Sequence, residues 1–134
     1  MSTILVPVDF SEETPEVIEC AAMLARRNRS ELVLLHVAPD NRAGAPGGCR
    51  EDDADDAADK LARLERYLRE EGFQVSTAVR EGEPARAIVE CGGSLKADCI
   101  IMGRHDHGEA APAAKSLVTS SVETTAGCTV VSVP

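Results

Sequence analysis

The feature that most constrains this chain is an alternation. Five short β-rich runs, at 3–8, 31–37, 73–80, 98–102 and 128–133, are separated by stretches whose apolar residues recur at helical spacing. Short runs bounded by polar turns predict strands, and continuous apolar ones predict strands buried on both faces. Only 73–80 (FQVSTAVR) alternates, as a strand near a sheet edge would. In the first gap Thr14 can cap a helix with Pro15 at its first position. Val17, Ile18, Ala21, Ala22, Leu24 and Ala25 form its stripe, and Arg26, Arg27 and Arg29 suit its C-terminal dipole. A second helix carries Ala54, Ala57, Leu61, Leu64 and Leu68 and stops at Gly72. Its acidic start, 51–59, reads as a solvated helix end, because an EF-hand would need a central Gly and a terminal Glu. Glu83-Pro84 opens a third helix through Ala87, Ile88 and Cys91, which Gly92-Gly93 is expected to close. A fourth, weaker helix is expected over 113–125, where Ser and Thr are abundant. Loops are expected at 38–50 and 103–112. Strict alternation of strand and helix predicts an α/β fold: one five-stranded parallel sheet, helices on both faces, right-handed crossovers. Val6, Leu34, Ile100, Ile101 and Val131 are its expected core.

Length and composition narrow the function. The 134 residues make one domain, 1–134, with no internal repeat or linker. A formal net charge of −9 opposes nonspecific binding to a phosphate backbone, and Phe10, Tyr67 and Phe73 are too few aromatics to stack single strands. No nucleic-acid partner is therefore expected. No apolar run reaches the roughly 18 residues of a membrane span, and the start passes straight into an apolar strand, so neither membrane association nor a secretory leader is expected. The five cysteines are odd in number, irregularly spaced and lack a C-x-x-C. They fit reduced thiols in a cytoplasm, mostly acting as small buried hydrophobes, with Cys49 in a polar loop the most exposed.

Three segments carry a resemblance. Ile4-Leu5-Val6-Pro7-Val8-Asp9-Phe10-Ser11 is a strand with an acidic end. Leu34-Leu35-His36-Val37 is a second. Ile100-Ile101-Met102-Gly103-Arg104-His105 is followed at the end of the chain by Ala126-Gly127-Cys128-Thr129-Val130-Val131-Ser132-Val133. In this order and spacing they resemble the universal stress protein family over essentially the whole chain. The resemblance implies a Rossmann-like sheet in the order 3-2-1-4-5. A crevice then lies between the first and fourth strands, at their carboxyl ends, where the strand order reverses. It also implies a stress-response protein with regulatory or protective function, and a homodimer formed through strand 128–133, with protein partners unknown.

Nucleotide-binding members of the family resemble one another in a loop G-x-x-G-x₉-G-[ST], whose backbone N–H groups approach phosphates closely. Here Gly103 matches, but Asp106, Ser116 and Leu117 occupy the other three positions. Asp106 sets a negative charge where phosphate would sit. At ~4–6 Å and an effective dielectric near 20, a like-charge pair costs a few kcal/mol. Leu117 lacks a hydroxyl donor, a loss of roughly 1–3 kcal/mol toward a charged acceptor. Together these approach the ~8 kcal/mol of a micromolar site. The expected cofactor is therefore none, with AMP or ATP as the alternative ligand. Should a nucleotide bind, the resemblance assigns Pro7, Asp9, Val37, Met102, Gly103 and Val118 to its site: Asp9 on the base or ribose side, Val37 as the adenine wall, Met102 and Val118 as lining. Val37, Met102 and Val118 also read as plain core packing, and Asp9 as a turn or helix-cap residue. Gly108 offers backbone donors in another register.

The segment 103–108 also resembles the universal stress protein A subclass, whose loop is similarly glycine-poor and is understood not to bind nucleotide. His105-x-His107 with Asp106 lacks a distant pair of ligands, so no metal is expected. Arg104 and Lys115 are a weak candidate for holding an anion. No G-x-S-x-G, H-E-x-x-H or Walker pattern occurs. Ser11, Ser120 and Ser121 read as cap or helix residues, and no catalytic residue is assigned. A hydrolase or redox enzyme using His and Cys residues is the remaining alternative.

Overall fold

A computed structural model describes residues 2–8, 14–38, 51–103 and 128–133, the side chains of 51–56 and of Ser132 excepted. The expected fourth helix at 113–125, the loops at 39–50 and 104–112, Asp9 and Val118 lie outside the described residues.

The strands are β1 Thr3–Pro7, β2 Glu31–Ala38, β3 Val75–Glu81, β4 Cys99–Gly103 and β5 Thr129–Val133, and the helices are α1 Thr14–Asn28, α2 Glu51–Glu70 and α3 Pro84–Leu95. All strand pairs are parallel, in the order β3-β2-β1-β4-β5. The expected topology is observed. Its central strands are apolar on both faces because helices cover both. Ile4, Val6, Leu32, Leu34 and Ile101 pack on the α1–α2 side, and Leu5, Val33, Leu35, Ile100 and Met102 on the α3 side.

Three expectations need correction. Val131 is half-buried rather than core, because β5 is an edge strand with a neighbour on one side only. Gly92-Gly93 does not close α3. The helix runs on to Leu95 and ends where Lys96 turns left-handed (φ 52°), the Lys96 and Ala97 amides donating to the carbonyls of Gly93 and Gly92. Gly92 serves close packing instead: a Cβ there would stand 3.3 Å from Ile100 Cδ1 and 3.6 Å from Leu5 Cδ2. Gly72, by contrast, does stop α2, at a φ of 97° that other residues rarely adopt. Nor does Thr14 cap α1: it is itself the first helical residue and buried, and its hydroxyl has no hydrogen-bond partner among the described residues.

The amino ends of the strands are tied down. The Thr3 amide donates to Asp98 Oδ2 (2.9 Å), Thr3 Oγ1 donates to Glu31 Oε1 (3.0 Å), and the Ser2 and Ser30 hydroxyls hydrogen-bond. At the opposite, carboxyl ends β1 and β4 pair less fully.

Candidate functional site

β1 and β4 pair only through Ile4↔Cys99 and Leu5↔Ile100, although both strands continue for two or three residues. The reason lies in Pro7. Along a strand successive backbone groups point to opposite neighbours. The Val8 amide donates to Leu35 O on β2 at 2.8 Å, so position 7 faces β4. Proline has no N–H to give. The ladder stops, and the two strands part at the point where the sheet order reverses. This role of Pro7 was legible in the sequence only as a proline at the end of an otherwise apolar run.

Three of the expected site residues share one face of this opening. Side chains alternate, and Leu5, Leu35 and Ile100 all face α3, which puts Pro7, Val37 and Met102 on that same face. Met102 stands level with Pro7, each two residues beyond the Leu5↔Ile100 pair. Met102 is buried, whereas Pro7, Val37 and Gly103 are half-buried. Gly103 closes β4 opposite Val133 of β5. The result is a short apolar wall across the carboxyl ends of β2, β1 and β4. Asp9, Val118 and the loop positions Asp106, Ser116 and Leu117 lie outside the described residues, as do His105 and His107.

One contact went unforeseen. His36, on the other face of β2, sets Nδ1 3.4 Å from the Val8 carbonyl oxygen. A carbonyl only accepts, so Nδ1 carries the proton in this long hydrogen bond. It ties the exit of β1, immediately before Asp9, to β2.

Among the described residues no group of three or more His, Cys, Asp or Glu is placed to hold a metal ion. No described helix is long and apolar enough to cross a membrane. Cys20, Cys91, Cys99 and Cys128 are free thiols. Burial pushes the Cys91 thiol up, partly offset by Arg80; burial also raises Cys99 and Cys128, with neighbouring Cys128, Cys20 and Asp98 adding to Cys99, and Asp98 to Cys128. These three are poor nucleophiles at neutral pH. They also predict a pH dependence. Above the ordinary thiol value of 9.0 the unfolded chain loses protons that the native thiols keep. Stability should thus be whole below that value and fall as pH rises through and past it. Urea midpoints between about pH 7 and pH 10 should drop more for wild type than for a Cys91→Ala/Cys99→Ala variant; parallel curves would refute the assignment.

A model of the universal stress protein family matches residues 1–134. Universal stress protein Sll1654 from Synechocystis sp. is 29% identical over 133 residues, 98% of this chain and 85% of the relative. Among solved structures, universal stress protein UspA from Lactobacillus plantarum superposes with a TM-score of 0.82 at 24% identity, covering 99% of this chain and 97% of that one. The universal stress protein from Archaeoglobus fulgidus, solved in complex with dAMP, gives 0.78 at 22% identity, covering 100% and 98%. Both structures share the fold.

Proposed function

The chain belongs to the universal stress protein family, and from that footing we propose that it is a regulatory or protective binding protein of the stress response, not an enzyme, whose crevice grips nucleotides weakly. The observation that carries this reading is the pairing of an apolar wall with a loop of unsuitable charge. Pro7 and Val37, half-buried over the buried Met102, offer a surface for an adenine ring. By motif position, the sequence after Gly103 has Asp106, Ser116 and Leu117 where the family's phosphate loop has two glycines and a hydroxyl residue. An adenine moiety is favoured and its phosphates are repelled.

The second reading, an AMP- or ATP-binding sensor, draws on the dAMP complex of the Archaeoglobus fulgidus protein. Calorimetric titration separates the two. ATP should bind wild type with a Kd weaker than roughly 100 μM, less than about 5.5 kcal/mol. The triple variant Asp106→Gly/Ser116→Gly/Leu117→Ser should bind at least about tenfold tighter, by removing a like charge and restoring a donor. Low-micromolar ATP affinity in wild type would favour the sensor and reject the weak-grip reading.

The same proposal includes a homodimer through strand 128–133 and residence in a reducing cytoplasm, which suits the free thiols.

A further inference from the structure

Away from the crevice, on the outer surface of the α1–α2 layer, lies a groove of about 650 Å³. Its floor is apolar, built from Ile18, Ala22, Leu64 and Leu68. Its walls hold two of the largest exposed apolar side chains of the described residues, Met23 (57% exposed) and Tyr67 (55%). Two of the chain's three aromatic residues, Tyr67 and Phe73, line it. Exposed side chains of this kind, gathered in a concavity, mark a binding surface more often than scattered ones do. The groove follows α1 from Thr14 to Arg27, about 20 Å at the helical rise. Its volume is that of a small-molecule site.

Charge identifies the occupant. At the carboxyl end of α1 the groove is closed by Arg26 and Arg27. Arg26 lies over the Phe73 ring, 5.3 Å from its centre. Neither arginine has a carboxylate within 4.0 Å among the described residues. Glu19 and Glu71 also line the groove but pair with neither. The negative dipole end of α1 explains why basic residues sit there, yet leaves their charge open to an external anion. An apolar trough of this length, holding at its end two guanidiniums with no carboxylate partner among the described residues, suits a single acyl chain with an anionic head. We propose that the α1–α2 groove binds a free long-chain fatty acid, tail along Ala22, Met23 and Tyr67, carboxylate on Arg26 and Arg27.

Tyr67 is the chain's sole tyrosine and there is no tryptophan, so intrinsic fluorescence reports on this groove alone. Myristate, titrated below its aggregation limit into full-length protein, should give a saturable change in Tyr67 emission. Each buried methylene is worth roughly fourfold in affinity, so decanoate should bind more than tenfold weaker. Arg26→Gln/Arg27→Gln should weaken myristate about tenfold, and tetradecyltrimethylammonium, with the same tail and opposite charge, should bind at least as much weaker. Met23→Asp, at an exposed position that folding tolerates, should abolish the response. No saturable change with myristate, or equal affinity for the cationic amphiphile, would overturn the proposal. So would a Tyr67 response only to a Leu/Glu amphipathic helical peptide, or one produced by diluting the protein alone, which would assign the groove to a protein partner or a second copy.

Discussion

Leu34→Ala is expected to lower the unfolding free energy by about 2–5 kcal/mol, the range for truncating a fully buried leucine. Leu34 is wholly inaccessible, in the second of five strands, and pairs in register with Val6 on one side and Thr77 on the other. It belongs to the core beneath α1 and α2, with Leu61, Leu68 and Ile18. Strands hydrogen-bonded on both sides cannot close in on the space left, so the cavity term adds to the lost transfer energy. A domain of this size has roughly 5–15 kcal/mol in all, and the urea midpoint should therefore shift strongly at an unchanged slope. Val131→Ala, at a half-buried edge position, should cost clearly less. A midpoint unmoved by Leu34→Ala would contradict the parallel-sheet core.

The contrast between these two valine and leucine positions shows what was legible in the sequence. Apolar continuity in TILVPV, ELVLLHV and DCIIM reports burial on both faces, so the central strands and their parallel arrangement could be read directly. The run 128–133 looks the same yet lies at an edge, because composition along one strand carries no information about how many neighbours it has. Only the resemblance supplied the strand order. Glycine misled for a related reason. At Gly72 and at Gly92 the residue is identical, but one is required by a left-handed backbone and the other by contact with Leu5 and Ile100, which no local pattern encodes. At the site, Pro7, Val37 and Met102 could be named from motif positions. That they fall on one face of an opening created by Pro7's missing N–H needed the register of β1 against β4. The His36–Val8 contact joins residues 28 apart and had no sequence signal beyond the histidine itself.

The last expectation concerns assembly. In the proposed dimer, Val130→Lys should raise the dissociation constant at least about 100-fold, roughly 2.8 kcal/mol, and leave a folded monomer. β5 pairs with β4 along its whole length, from Cys99↔Thr129 to Gly103↔Val133, and no described strand lies along its other edge. Thr129, Val130, Val131, Ser132 and Val133 carry no charge, and Pro134 comes only after the run. Soluble proteins usually blunt such an edge with a Lys, a Pro or a bulge. Val130, Val131 and Val133 are half-buried, with Val130 packed on the α3 side and Val131 and Val133 on the α1 side, so apolar surface reaches the edge on both faces. A second copy of the same strand, antiparallel about a two-fold axis, satisfies both the open backbone groups and this surface, and is self-complementary as a two-fold contact must be. With flanking side chains it can reach the ~1,200–2,000 Å² of a stable interface. Lysine at 130 brings two like charges together across the axis while leaving every backbone N–H able to pair, so it separates the dimer contact from the fold. Val131→Pro removes a donor outright and should disturb β5 itself, lowering the urea midpoint as well. Sedimentation of wild type as a dimer at ~50 μM and of Val130→Lys as a monomer with an unchanged midpoint is the expected pair of results; a monomeric wild type at that concentration, far above a micromolar dissociation constant, rejects the dimer and leaves the edge to be covered within the chain.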